Sequence, residues 1–210
     1  MPINQKPRTI LGIDPGTNVL GYGILDAYGS RVKMRAMGVI DLRRCNDVYI
    51  KLGRIYERVC EIIDSFNPDE LAIESPFFGK NVQSMLKLGR AQGVAIAAAI
   101  SRNMPIFEYA PLKIKMAITG NGGSSKEQVA AILKHVFCIK EENMLPYLDA
   151  TDALGAAYCH FLQCKGPVTP NTKNVSWRNY NNKLAINDNK AGMTIPQKKL
   201  MEALCRKSLK

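Results

Sequence analysis

The chain has 210 residues, 46% hydrophobic and 22% charged, with a formal net charge of +11. That length supports one sizeable domain with a real core, and the ordinary composition excludes collagen-like and low-complexity classes. No run of 18 or more apolar residues occurs, which argues against a membrane span, and the opening MPINQKPRT has no apolar signal core, so the expected location is the cytoplasm.

The first apolar run, 8–14 (RTILGID), reads as a short buried strand that ends on Asp14 and breaks at Pro15-Gly16. Residues 19–27 and 31–41 are β-rich and meet around the turn signal Tyr28-Gly29-Ser30, so the first three strands are expected to form an antiparallel meander. The period then changes: Leu52, Ile55, Val59, Ile62, Ile63 and Phe66 recur at helical spacing over 47–66, and Asn67-Pro68 ends that helix. Residues 69–74 (DELAIE) form a second short strand that ends in an acid, Glu74.

A helix over 82–101 follows, in which Gly89 and Gly93 stand four apart, a spacing that permits close approach to a neighbouring element. Next come a strand at 104–109, a short helix near 111–118, a Gly-rich turn at 120–123, a helix over 125–138 and a closing helix over 149–163. Three antiparallel strands followed by alternating strands and helices predict a mixed α/β sheet with helices on both faces. The domain is expected to span 1–164. Beyond it, 166–194 is rich in Pro, Asn, Thr and Lys and reads as a linker, while 196–209 has the pattern of a short basic amphipathic helix. The charge is uneven: 165–210 holds 10 Lys/Arg against 2 Asp/Glu, and 1–164 holds 19 against 16. A basic balance suits a polyanionic partner, although a basic tail is often only a solubilising arm.

The six cysteines (45, 60, 138, 159, 164 and 205) form no CxxC pair. Cys60, Cys138 and Cys159 fall in apolar patterns, and the set reads as buried free thiols rather than disulfides or a zinc site. His135 and His160 sit in helical patterns among apolar neighbours and read as structural.

The chemistry rests on acids. If the first and fourth strands are adjacent and parallel, Asp14 and Glu74 meet at one sheet edge, the end where open α/β sheets place ligands. Asp149 and Asp152, spaced i, i+3 at the start of the last helix, share one face. Singly, each has an ordinary explanation: Asp14 as a turn acid, Glu74 as a surface carboxylate, Asp149 as an N-cap with Asp152 aiding the first turn. Gathered, they repel, at a cost on the order of 4 kcal/mol for each like pair at 4 Å and an effective dielectric near 20. Divalent cations relieve that cost, and Mg²⁺, which prefers hard oxygen ligands and keeps several waters, suits an open carboxylate site shared with phosphate. Two such ions assist phosphodiester cleavage.

In "LGIDPGT…GYGI" (11–24), "AIESPFFGKN…SMLKLGRAQGVAIAAA" (72–99), "FEYAPLKIKMAITGNGGSSKEQV" (107–129) and "DATDALGAAYCH" (149–160), which run in order, the chain resembles the RuvC-type Holliday-junction resolvases of the RNase H-like superfamily. The resemblance implies an RNase H-like fold with a five-stranded mixed sheet. It implies a homodimer that nicks two opposed strands of a four-way DNA junction with Mg²⁺ or Mn²⁺, two ions per subunit, in partnership with a RuvA-RuvB-type branch-migration complex. The catalytic and metal-holding acids are then Asp14, Glu74, Asp149 and Asp152. Lys115 and Lys126 match lysines beside the scissile strand, Lys113 is a further candidate for DNA contact, and Phe77 matches an aromatic that stacks on a junction base. Pro76, which stiffens the preceding loop, departs from the pattern and bears on sequence preference. The backbone amides of Gly120, Gly122 and Gly123, with Ser124 or Ser125 capping the next helix, are a further candidate phosphate cradle. Three other readings compete: an actin/Hsp70-type ATPase, which needs a second such domain and phosphate loop; a noncatalytic junction binder, against which the intact acids argue; and another RNase H-like nuclease.

Overall fold

The first apolar run forms strand β1 (Arg8–Asp14) and leads through Pro15-Gly16 into β2 (Val19–Tyr28) and β3 (Arg31–Asp41). These three make the expected antiparallel meander, with Gly29 at φ 61° in the turn between β2 and β3. This computed structural model describes residues 6–76, 81–139 and 148–164. Phe77 and the tail 165–210, with its expected helix at 196–209, lie outside the described residues.

Helix α1 (Val48–Phe66) opens on Asp47, whose carboxylate accepts from the amides of Tyr49 and Ile50, and closes on Asn67 at φ 47°. That left-handed cap and the following Pro68 end the helix where the sequence places its end. Strand β4 (Glu70–Glu74) then pairs parallel with β1, Ile10 against Glu70 through Ile13 against Ile73. Helix α2 (Val82–Ser101), capped by Asn81, returns the chain to β5 (Ile106–Tyr109), which pairs parallel with β4. The sheet order is β3-β2-β1-β4-β5. Strand β5 begins two residues later than expected because Pro105 has no amide to give the ladder; its carbonyl accepts from Leu71 instead.

Helices α3 (Pro111–Thr119), α4 (Lys126–Val136) and α5 (Leu148–Gln163) complete the fold. Strand alternation sorts the core onto two faces. Leu11, Ile13, Leu71 and Ile73 pack with Ile55, Val59 and Ile63 of α1 and Ala91, Ala95 and Ala98 of α2. Ile10, Leu25 and Ala72 pack on the other face with Ile114 of α3 and Leu154, Ala157 and Phe161 of α5. Among the described residues, no helix is long and apolar enough to cross a membrane.

Two expectations need correction. Cys60 and Cys159 are buried free thiols, but Cys138 is exposed: α4 stops at Val136, and Cys138 turns outward at φ 52° while Ile139 takes the core position. Among the described residues, Gly89 and Gly93 meet no other element, and a Cβ at either would enter open space.

Candidate active site

Three glycines decide where the last helix lies. Gly12 of β1 stands opposite Gly23 of β2, and Asp14 stands opposite Gly21. A Cβ on Gly12 would fall 2.0 Å from the Ala153 carbonyl oxygen, one on Gly21 would fall 1.9 Å from that of Asp149, and one on Gly23 would fall 2.8 Å from the Cα of Leu154. The side-chain-free patch lets α5 lie directly on the β1–β2 backbone. Its first turn is thereby set against the end of β1, beside Asp14.

Alternation places the strand acids on the same face. Gly12 and Asp14 point toward α5, as do Glu70, Ala72 and Glu74 of β4, while Leu11, Ile13, Leu71 and Ile73 point away. The parallel register, in which Ile13 pairs with Ile73, puts Asp14 and Glu74 at the same level. Asp149 and Asp152 follow from the first turns of α5. Asp149 lies inside the first turn of α5 rather than ahead of it as an N-cap.

The electrostatics bear the marks of crowding. Burial and the neighbouring charges of Glu74, Asp152 and Asp149 hold Asp14 well above the usual carboxylate range, against a smaller opposing effect of Lys126. Burial, with the field of Asp152, pushes Glu74 up to about 7, and Lys126 and Lys115 oppose it. Burial also raises Asp152, although the Lys126 ammonium donates a hydrogen bond to its carboxylate. Burial works against the charged form of Lys126, but the bond to Asp152 and the fields of Asp152, Asp14 and Glu74 outweigh it and raise its affinity for the proton. Four carboxylates from three elements therefore share one electrostatic site, with one ammonium inside it and Lys115 at its rim.

All the donors are hard carboxylate oxygens, the set that suits Mg²⁺ or Mn²⁺ rather than Zn²⁺. Among the described residues, no three His, Cys, Asp or Glu side chains close on one point as a ready-made cage. The cluster is open, and its charge is balanced by Lys126 and by raised proton affinity. Its composition and mutual repulsion fit a divalent cation.

The lysines separate. Lys115 is half-buried near Glu74 and Asp152, whereas Lys113, two residues away on α3, is turned aside, its ammonium 5.1 Å from the centre of the Tyr109 ring. The Gly-rich turn is largely satisfied internally. Gly120, at φ 74°, caps α3 with its amide, and the Gly123 amide donates to the Asn121 side chain. Ser125 caps α4 in a reciprocal capping box with Gln128, while Ser124 is buried against the Thr119 hydroxyl at 2.9 Å. Thr119 in turn donates to the Lys115 carbonyl, so one small hydroxyl network ties the end of α3 to the start of α4 and fixes Lys115 relative to Lys126. Thr119 and the glycine patch are absent from the sequence reading; alternating Gly in "GIDPGT…GYG" was the available signal for the patch.

A second polar group lies beneath α5. His160 is fully buried, with Nε2 2.7 Å from Glu70 and Nδ1 2.6 Å from the Tyr109 hydroxyl. It is structural, as its apolar surroundings suggested. His135, by contrast, is exposed in the last turn of α4.

The raised carboxyls predict a pH dependence. For Asp14, Glu74 and Asp152 folding favours the protonated form, so their stabilising contribution is full below the unfolded pKa and is lost as pH rises through the folded one. For Glu74 that window runs from 4.5 to about 7. Glu70 has the opposite sign: burial raises it, but the His160 hydrogen bond and the Arg8 charge win and lower it, so its contribution is lost only at acid pH. Metal-free protein is expected to lose stability between pH 5 and pH 8, with at most roughly 3 kcal/mol from Glu74. Thermal unfolding of Glu74→Gln should show a shallower slope over that range; a slope equal to the native one would refute the assignment.

The family pattern described as crossover junction endodeoxyribonuclease RuvC matches residues 10–160. A protein of Bacteroides fragilis named crossover junction endodeoxyribonuclease RuvC is 65% identical over 163 residues, 78% of this chain and 87% of that relative. One of the same name from Porphyromonas gingivalis is 58% identical over 166 residues, 79% of this chain and 88% of the relative. The solved structure of T. thermophilus RuvC in complex with a Holliday junction substrate superposes with a TM-score of 0.69 at 29% identity, covering 75% of this chain and 95% of that one.

Proposed function

Because the chain belongs to the crossover junction endodeoxyribonuclease RuvC family, we propose that Asp14, Glu74, Asp149 and Asp152 are the acids with which it cuts DNA. The protein is a structure-selective endonuclease of RNase H-like fold that resolves four-way Holliday junctions in DNA recombination and repair. The observation that carries the residue assignment is the meeting of these acids, from β1, β4 and α5, in one site that raises the proton affinity of three of them.

Membership of this nuclease family implies a divalent-metal requirement. Mg²⁺, two ions per subunit with Mn²⁺ able to substitute, is the choice the donor set favours; when bound it supplies charge neutralisation and activation of water for attack on phosphorus. The four carboxylates would hold it, and the protein's own groups do the rest. Asp14 and Glu74 stand on strand ends that cannot swing. Asp149 and Asp152 stand on a helix whose seat is fixed by backbone contact. Lys115 and Lys126 place positive charge where a phosphate must approach an otherwise repelling site. Lys113, held over the Tyr109 ring, is a weaker candidate for that work, and Phe77 retains the stacking role that the resemblance implies.

A symmetric four-way junction calls for paired nicks, and the exposed face of α2 suits a second copy. Val82, Leu86, Gly89, Gly93 and Ala97 form one exposed stripe, apolar and nearly flat. We assign the homodimer to that stripe, where the small residues admit a partner helix. Action in the cytoplasm and partnership with a RuvA-RuvB-type branch-migration complex complete the reading, with 165–210 as a basic tail outside the nuclease domain.

The test compares a mobile four-way junction with linear duplex of the same sequence, with and without Mg²⁺. Symmetric nicks in the junction alone, and only with Mg²⁺, are expected. Equal cleavage of the duplex would remove the junction selectivity, and metal-independent nicking would remove the role given to the acids.

A further inference from the structure

We propose that the cleft between α1 and α2 is a second phosphodiester-binding site, which holds the DNA backbone a few nucleotides from the strand at the acids. This rests on the nuclease reading but concerns residues that play no part in it. The cleft has a volume of about 460 Å³, and its polar wall includes Thr17, Asn18, Lys51, Ser84, Lys87 and Arg90, with no acidic residue in its lining.

The charge is placed against local preference. Lys51 lies in the first turn of α1, where the helix dipole disfavours a cation, and Lys87 and Arg90 follow in the second and third turns of α2; neither helix has an acid in its first turn, although Asp47 caps α1. Further along the same helices, Arg58 and Arg102 are paired with Glu61 and Asp64. Lys87 and Arg90 have no such carboxylate partner among the described residues. Lys51 donates to the Thr17 carbonyl (3.0 Å) and the Asn18 side chain (2.9 Å), which pins the wall of the cleft and leaves one N–H of its ammonium for a ligand. Three cations lining one cleft with no acid among them are a costly surface unless an anion comes to it.

Position identifies the anion. Thr17 and Asn18 follow Asp14 by three and four residues, so the cleft starts within about 15 Å of chain from the acids. It lies at the same end of the sheet but on the α1–α2 face, whereas the acids face α5. A strand passing over the sheet edge from the acids reaches the cleft after about three or four nucleotides at roughly 3.4 Å each. Leu52, Ile55, Leu88 and Ala91 floor the cleft and suit the sugar rather than a free ion.

The experiment uses Lys87→Gln, Arg90→Gln and the double variant of the full chain, with unchanged melting temperature and oligomeric state as controls. Junction affinity is measured against salt in Ca²⁺, on a full-arm junction and on one whose arms are cut to about two base pairs beyond the nick. On the full-arm junction each variant should flatten the log K against log[salt] slope by about 0.9 and weaken binding several-fold. The truncated junction should be bound as by native protein, and single-turnover nicking at saturating protein should keep its rate. An unchanged slope, or equal loss on both junctions, overturns the proposal. So does inorganic phosphate raising the melting temperature in a Lys87-dependent way while junction affinity stays unmoved, which would assign the cleft to free phosphate. Failure of the native protein to nick junctions would instead strike the nuclease reading, and the salt slopes can be read regardless of it.

Discussion

Replacing Asp14 by Asn should lower the single-turnover nicking rate by at least about 10³-fold, a loss of roughly 4 kcal/mol of transition-state stabilisation, while junction binding in Ca²⁺ stays within a few-fold of native. The substitution is nearly isosteric and removes one negative charge from a site where burial and three neighbouring acids already disfavour it. The protein should therefore melt higher, not lower, at pH 8 without metal, and respond less to added Mg²⁺. Loss of a cation ligand with gain of metal-free stability is the signature that separates a functional carboxylate from a structural one. Nicking within ten-fold of native would remove Asp14 from the chemistry; a lower melting temperature would make it a fold-supporting acid.

The second large effect is expected at a residue with no side chain. Gly21→Ala would place a methyl 1.9 Å from the Asp149 carbonyl oxygen, and that obstacle is helix backbone rather than a movable side chain. Helix α5 must lift from the sheet. The cost belongs at or above the upper end of overpacking penalties, about 3 kcal/mol, which lowers the melting temperature by roughly 6–12 °C for a domain of this size. Because the lifted turn carries Asp149 and, one turn on, Asp152, nicking should fall by more than the unfolded fraction accounts for. Gly29→Ala is the control, since a Cβ there meets nothing and only its positive φ is strained. A Gly21→Ala protein that melts like native and nicks normally would show that the close seat of α5 is not what aligns the acids.

The sequence carried the fold well where the code is local. The buried apolar run in "RTILGID", the short strand in "DELAIE", the period change over 47–66 and the Asn67-Pro68 stop all reflect backbone preferences that tertiary packing leaves alone. The end of α4 was harder to read: Phe137 and Cys138 continue an apolar pattern, yet the chain turns left-handed so that Ile139 can be buried. The acids were legible as a set because strand order and parallel pairing follow from topology. What supports them was not. The glycine patch is defined by a helix more than a hundred residues away, and the Thr119–Ser124 bond by a turn whose amides looked free. Lys113 and Lys115 show the same limit: two lysines two apart on one helix are alike in sequence, but their side chains leave in different directions, one toward the acids and one over Tyr109.

The pairing of α5 with β4 sets a length rule. Glu70 and Glu74 are four strand residues apart, about 13 Å, and His160 and Asp152, the α5 residues beside them, are eight helix residues apart, about 12 Å. The two spacings match like the marks of a vernier, so both ends of the helix can be in register with the strand at once. Adding or deleting one residue between Asp152 and His160 would turn one end by about 100° relative to the other. The interval can therefore vary only in composition, never in count, and the buried histidine holds the far end of a gauge whose near end is the acid cluster.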